Sequence, residues 1–218
     1  MISPMNDERV VTVPPERLAK WLAGFAERHG QPSVDVSESA VVATAPDGAT
    51  AEFAIDLPPL AVDPDDHWRG LVAHVTKPRT LGILLVRRGG YAAGVFAGPT
   101  LVASKVDSRY VQGRTAAGGQ SQQRFARRRA NQANAVVGSA ADVAERVLLS
   151  RVDTIEALYV GGDRPLVTAA MEDRRLARLT ALPRGRFLTV ADPRLDVLKA
   201  AAETARSVVV RVSQPAGT

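Results

Sequence analysis

The order of apolar patterns predicts an α/β fold: a mixed sheet with packed helices, preceded by a small helix-plus-hairpin subdomain. Two observations carry this. Three β-like runs follow one another closely, Thr80 to Arg87, Tyr91 to Ala97 and Thr100 to Gln112, and a long helical stretch and then alternating strand and helix patterns come after them. Short hairpin connections read as an antiparallel meander, and the helix–strand alternation after it implies a mixed sheet with helices packed on it.

The elements follow in order. Pro15 suits the first turn of a helix whose residues Leu18, Trp21, Leu22 and Phe25 recur at helical spacing until His29-Gly30 stops it. Two β-like runs, Ser33 to Ala43 and Thr50 to Leu57, are joined across Ala45-Pro46-Asp47-Gly48, a strong turn signal. Prolines and clustered acids make 58–69 a linker. The three-stranded meander turns at Arg88-Gly89-Gly90 and at Gly98-Pro99. A helix from Gln122 to Ser150 holds Phe125, Ala133, Val136, Ala140, Val143 and Val147 on one stripe. A strand at Thr154 to Val160, a helix at Pro165 to Leu179, a strand at Arg186 to Val190, a helix at Pro193 to Ala205 and a strand at Ser207 to Val212 complete the chain. The expected organisation is a tail at 1–9, a subdomain and linker at 10–69, a main domain at 70–212 and a tail at 213–218.

Composition narrows the chemistry. The 218 residues are 45% hydrophobic and 23% charged, enough for a sizeable core. Cysteine is absent, which removes thiolate catalysis, cysteine-bound metals and disulfides and points to a reducing compartment. No apolar run reaches the roughly 18 residues of a membrane span, and the opening MISPMNDERVV lacks the order of a signal peptide, so a cytoplasmic, membrane-free protein is expected.

Charge localises the function. Between Ser104 and Gln132 stand Lys105, Arg109, Arg114, Arg124, Arg127, Arg128 and Arg129 against the single acid Asp107, a net +6, while the other 21 basic and 22 acidic residues leave −1. Concentrated basic charge is the footprint of a polyanion-binding surface, although a solvated basic face gives the same count. With Phe125 at 0° on a helical wheel, Arg127, Asn131, Arg124 and Arg128 fall at about 200°, 240°, 260° and 300°, opposite the apolar stripe, and Arg129 falls near 40°. Guanidinium groups interleaved with amides suit phosphate and ribose oxygens. With only Tyr110 and Phe125 as nearby aromatics, structured RNA fits better than a stacked single strand. Ahead of this helix, Gly118-Gly119 frees the backbone to approach a ligand and to offer N–H donors; read alone, the pair is a phosphate cradle, an oxyanion site or a flexible loop.

Taken together, RYVQGRTAAGGQSQQRFARRRANQ at 109–132 resembles the catalytic loop and following helix of the Vms-type release-factor family in its short actinobacterial form. That family is related to the GGQ middle domain of the eukaryotic and archaeal termination factor. The resemblance implies an RNase H-like catalytic domain and hydrolysis of the ester of peptidyl-tRNA on the large ribosomal subunit, in rescue of stalled nascent chains. It implies no cofactor, and as partners it implies peptidyl-tRNA and rRNA, with the chain acting as a monomer. Carried over, the glutamine is Gln120, shaped by Gly118 and Gly119. Eukaryotic Vms-type members usually do not place glutamine directly after the glycine pair, so Gln122 stands as the second candidate. Arg124, Arg127 and Arg128 are assigned to RNA phosphates, with Arg114, Arg109 and Lys105 in support. The zinc finger, ankyrin repeats and extraction-ATPase helix of the larger members have no counterpart here.

Other sites have simpler readings. Asp63, Asp65, Asp66 and His67 form the only dense acidic cluster, expected to be a solvated loop rather than a metal site. Gly161-Gly162-Asp163 reads as a helix N-cap. His74 has no nearby acid to orient it as a base, and no histidine is placed to activate Ser104 or Ser121. The rival to the enzyme is a noncatalytic RNA- or ribosome-binding protein whose glycine loop is a tether.

Overall fold

Pro14 in extended conformation and Pro15 at the start of a 3-10 turn separate a first strand, β1 (Glu8–Val13), from the helix α1 (Leu18–His29), as proline's fixed φ and missing N–H favour. The computed structural model describes residues 8–60, 66–108 and 121–214, and of His67, Ser108 and 121–130 the backbone alone. After α1 come β2 (Ser33–Val36), β3 (Ala40–Thr44), β4 (Thr50–Ala54) and α2 (His67–Thr76). The Ala45–Gly48 turn forms as expected, with Gly48 at φ 90°. The run from Ser33 to Ala43 is two strands rather than one, because the Ser37 hydroxyl oxygen accepts the Ala40 N–H at 3.0 Å and folds the chain back.

The meander is β5 (Thr80–Arg87), β6 (Gly90–Ala97) and β7 (Thr100–Ser108), paired antiparallel in sequence order. The long helix α3 (Ser121–Val147) leads to β8 (Ala157–Gly162), which runs parallel to β5 and gives the mixed sheet β7-β6-β5-β8. Then follow α4 (Arg164–Met171), a 3-10 turn at Arg174–Leu176, α5 (Ala177–Thr180) and α6 (Leu195–Arg206). On one face of the sheet Leu84, Val86, Tyr91, Ala93 and Val95 are buried with Val136, Ala140, Val143, Ala144 and Val147 of α3 and with Val167 and Ala170 of α4. A stripe at i, i+4, i+7, i+8 and i+11 on α3 is the face the sequence marked from Val136 onward.

The last strand, β9 (Val208–Ser213), departs from expectation: it does not extend the β5–β8 sheet but pairs antiparallel with both β1 and β4 in a five-stranded sheet, β1-β9-β4-β3-β2. Its alternating Val208, Val210 and Val212 are buried among Phe25, Val41, Phe53 and Leu71, where Trp21 stacks on Phe25 and Phe53 meets Trp68 edge-on. Two compact units result, Met1–Pro78 with Glu203–Thr218, and Arg79–Ala202. The single 70–212 domain is therefore divided, at 78/79 because α2 belongs to the first unit and at 202/203 because β9 returns to it.

Three smaller differences have local causes. The linker reading of 58–69 missed α2, whose N-cap is Asp66, its carboxylate accepting the Arg69 N–H at 3.0 Å. The helix expected over 165–179 breaks at Asp173, which accepts the Arg175 N–H at 2.9 Å and begins a new turn. The strand expected at 186–190 is not a full strand: isolated bridges join Leu188 to Gly161 and, just before the expected segment, Arg184 to Leu158. Among the described residues no helix is long and apolar enough to cross a membrane.

Candidate functional site

The β6–β7 hairpin and α3 bracket the segment that carries the basic residues and the glycine pair. β7 is an edge strand of its sheet, so its outer side has no strand neighbour among the described residues. Along it Val102, Ser104, Lys105 and Asp107 are exposed, whereas Ala103 packs toward the core formed with α3. Lys105 thus presents its ammonium group to solvent on the strand that leads into 109–120. Arg109, Arg114, Gly118, Gly119 and Gln120 lie outside the described residues.

Asp107 stands directly opposite Tyr91 in the β6–β7 register. The Tyr91 hydroxyl donates to Asp107 Oδ2 at 3.0 Å while its ring is buried in the core beneath α3. The one acid of the 104–132 stretch is thereby engaged by the sheet.

The backbone of α3 is helical from Ser121, so Gln122, Arg124, Arg127 and Arg128 stand on its first two turns. Among residues whose side chains are described, Asn131, Gln132, Asn134 and Ala135 are exposed, and Val136 is the first buried position. From Ser121 to Val136 is about 22 Å of helix. Extending the helical phase backward from the buried stripe puts positions 124, 127 and 128 on the opposite arc and position 129 on the stripe's own side. The positive end of the helix dipole lies at this terminus, and its first turn holds no acid.

Farther along, α3 is fixed by an ion cluster. Arg175 Nη1 donates to Asp142 at 2.9 Å and to Glu145 at 2.7 Å, and Arg175 Nη2 donates to Asp173 at 2.7 Å. Hydrogen bonds from the Arg175 side chain and backbone hold the Asp173 carboxyl down at about 2, and the side-chain hydrogen bonds to Asp173 and Asp142 raise Arg175 further above its ordinary range.

Asp66 is a helix cap; Asp63 and Asp65 lie outside the described residues, and the side chain of His67 is not described. Among the described residues no group of three or more His, Cys, Asp or Glu is arranged to hold a metal ion. Asp163 precedes α4 but does not cap it with its side chain: its carboxylate accepts the Arg88 N–H at 3.3 Å and faces Arg87 Nε at 3.8 Å. Gly162, at φ 107°, sits against the Val86 carbonyl, an approach only glycine permits.

Sequence reasoning missed how charge divides between the units. Arg79–Ala202 holds 20 basic and 10 acidic residues, and the other unit holds 8 and 13. The near-neutral remainder outside 104–132 is thus the sum of a basic part in one unit and an acidic part in the other. The sum was legible from composition; the division needed the fold, because residues 203–218 join the acidic unit.

No curated protein matches the chain. Among solved structures it is similar to the archaeal translation termination factor aRF1, at 14% identity and TM-score 0.43, covering 94% of this chain and 68% of that one. It is also similar to an archaeal protein at 15% and 0.39, covering 91% of this chain and 64% of that one. The Vms1 mitochondrial localization core is similar at 10% and 0.42, covering 88% of this chain and 80% of that one. The sequence model of the Actinobacteria/chloroflexi VLRF1 release factors matches residues 79–211, from the first strand of the mixed sheet to β9. With more than half of its length matched, the chain belongs to the Actinobacteria/chloroflexi VLRF1 release factor family.

Proposed function

We propose that this release factor hydrolyses the ester of peptidyl-tRNA on the large ribosomal subunit and so frees stalled nascent chains, with 79–211 as the working part. The observation that carries the reading is the family match over a region containing Gly118-Gly119-Gln120 between an edge strand and an arginine-faced helix. Gln120 does not titrate and is no general base. Its side-chain amide orients the attacking water, and its backbone N–H faces the developing oxyanion. Water adds to the ester carbonyl, the bond to the terminal ribose oxygen breaks, and the proton passes to that ribose through solvent. Gly118 and Gly119 let the backbone approach the ester without a Cβ. Arg124, Arg127 and Arg128 hold phosphates, supported by Lys105, Arg109 and Arg114.

The deciding experiment is release of a labelled peptide from large subunits carrying peptidyl-tRNA. Gln120→Ala lowers the single-turnover rate by about 100-fold or more with binding and Tm unchanged, the scale of losing a transition-state donor. Gln122→Ala is milder. The reverse order moves the catalytic role to Gln122, and full activity in both leaves the noncatalytic ribosome-binding reading.

A further inference from the structure

The basic unit carries a second cationic surface, along the sheet edge at β8, opposite β7, and the β5–β6 turn that meets its end. Residues 184–188 run beside β8 through the bridges at Leu158 and Gly161. The exposed Arg164 lies over the Phe187 ring, its guanidinium carbon 4.1 Å from the centroid. Arg184, also exposed, stands three residues before Phe187. Arg88, exposed on the β5–β6 turn, gives its backbone N–H to Asp163, the residue preceding Arg164.

The acids nearby are already engaged. Asp163 and Asp192 both face Arg87 Nε, at 3.8 and 3.6 Å, and Arg87 also donates to the Val190 carbonyl at 2.8 Å. Among the described residues no carboxylate pairs with the side chains of Arg88, Arg164 or Arg184. Elsewhere in the same unit Arg175 sits on three carboxylates and Arg178 on Asp153. A merely solvated face mixes its signs in that second way. Neighbouring protein strips water from Arg184 although the residue is exposed overall, and this lowers its pKa; a partly dehydrated cation without a counter-ion gains most from an anion.

The chemistry separates a phosphate chain from an acidic protein. Guanidinium forks bind phosphate in pairs, and the stacking on Phe187 fixes the plane of one of them. Protein interfaces centre on apolar side chains, but the large exposed hydrophobics among the described residues, Val10, Val102 and Leu195, all lie outside 157–190. We propose that the β8 edge is a second phosphate-binding surface, which takes the backbone of structured RNA through Arg88, Arg164 and Arg184. That the RNA is ribosomal rests on the function proposed above.

The test uses the full chain and two triple variants, one with Arg88, Arg164 and Arg184 changed to Gln and one with the same residues changed to Lys, bound to large subunits and to isolated ribosomal RNA over a salt series. The Gln variant should bind about tenfold or more weakly at low salt and lose about two from the slope of log affinity against log salt, while the Lys variant keeps most of both. The same losses should appear when the triple is built on Gln120→Ala. Failure of peptide release with these losses intact removes the catalytic reading and leaves the surface standing. Unchanged affinity and slope in the Gln variant overturn the proposal. So does a Lys variant as weak as the Gln one, because charge is then not what matters, and so does poly-glutamate competing as well as RNA of equal charge, which points to an acidic protein.

Discussion

Tyr91 and Asp107 face each other across β6 and β7, the phenol buried and the carboxylate exposed, joined by a hydrogen bond of 3.0 Å. Because Asp107 is the single acid among seven basic residues of 104–132, this pairing draws the one local counter-charge toward the sheet. Tyr91→Phe removes the donor and should cost about 1 kcal/mol. Asp107→Asn, which keeps an acceptor, should cost less than Asp107→Ala. A double-mutant cycle of Tyr91→Phe with Asp107→Ala in urea melts should return a coupling of about 1 kcal/mol; additivity of the two changes would show the bond contributes nothing.

The arginine face of α3 should behave as a phosphate contact. Changing Arg124, Arg127 and Arg128 together to Gln should weaken large-subunit binding and flatten its salt dependence by about two to three in log–log slope. Saturating protein should then restore part of the release. An unchanged slope identifies these residues as a solvated face.

Release chemistry without a titrating side chain has its own pH signature. The single-turnover rate should rise with pH with no descending limb assigned to a protein acid. A bell-shaped profile that a histidine or carboxylate substitution shifts would reveal a conventional base.

Gly185 lies against the ring of Tyr159, which is buried. A Cβ there overlaps the ring, so Gly185→Ala should destabilise by about 3 kcal/mol, the upper range for overpacking. Calorimetry on Gly185→Ala combined with Tyr159→Leu should recover part of the loss; no recovery would place the strain in the backbone.

Asp173 is held at about 2, below its ordinary 3.8, first by the Arg175 side chain. A lowered folded-state pKa means this contribution to stability is full above about pH 4 and is lost as pH falls toward 2. The carboxylate is on the surface, so the effect is small and salt-sensitive. Asp173→Asn should flatten the fall of Tm in that window, and an identical pH profile in the variant would rule out the linkage.

Local signals made much of this molecule legible. Leu18 to Phe25 marked α1, Pro46-Asp47-Gly48 marked the turn, and the glycine-punctuated runs from Thr80 marked the meander. Helical phase alone located the buried face of α3 from Val136 to Val147. What stayed hidden depended on distant partners. Ser207 to Val212 read correctly as a strand, but nothing local says whether it joins β8 or β1. α2 was masked by the prolines and acids before it, one of which, Asp66, turned out to be its cap. At the candidate site, the charge cluster and the glycine pair were legible from composition and order. The arginines Arg88, Arg164 and Arg184 were not, since only folding brings these distant stretches of sequence to β8 and its neighbouring turn.

The return of β9 sets the order in which the protein is built. Glu8 to Val13 leave the ribosome early, yet their partner, Val208 to Ser213, comes about 200 residues later. Every strand of the β5–β8 sheet, by contrast, has its partners by Gly162. The Arg79–Ala202 unit can therefore complete its pairing while the first sheet still lacks its second strand, and until then β1 and β4 expose edges that invite other chains. A factor proposed to act on stalled nascent chains would, if halted shortly before its own end, itself leave a finished basic unit beside an unfinished acidic one.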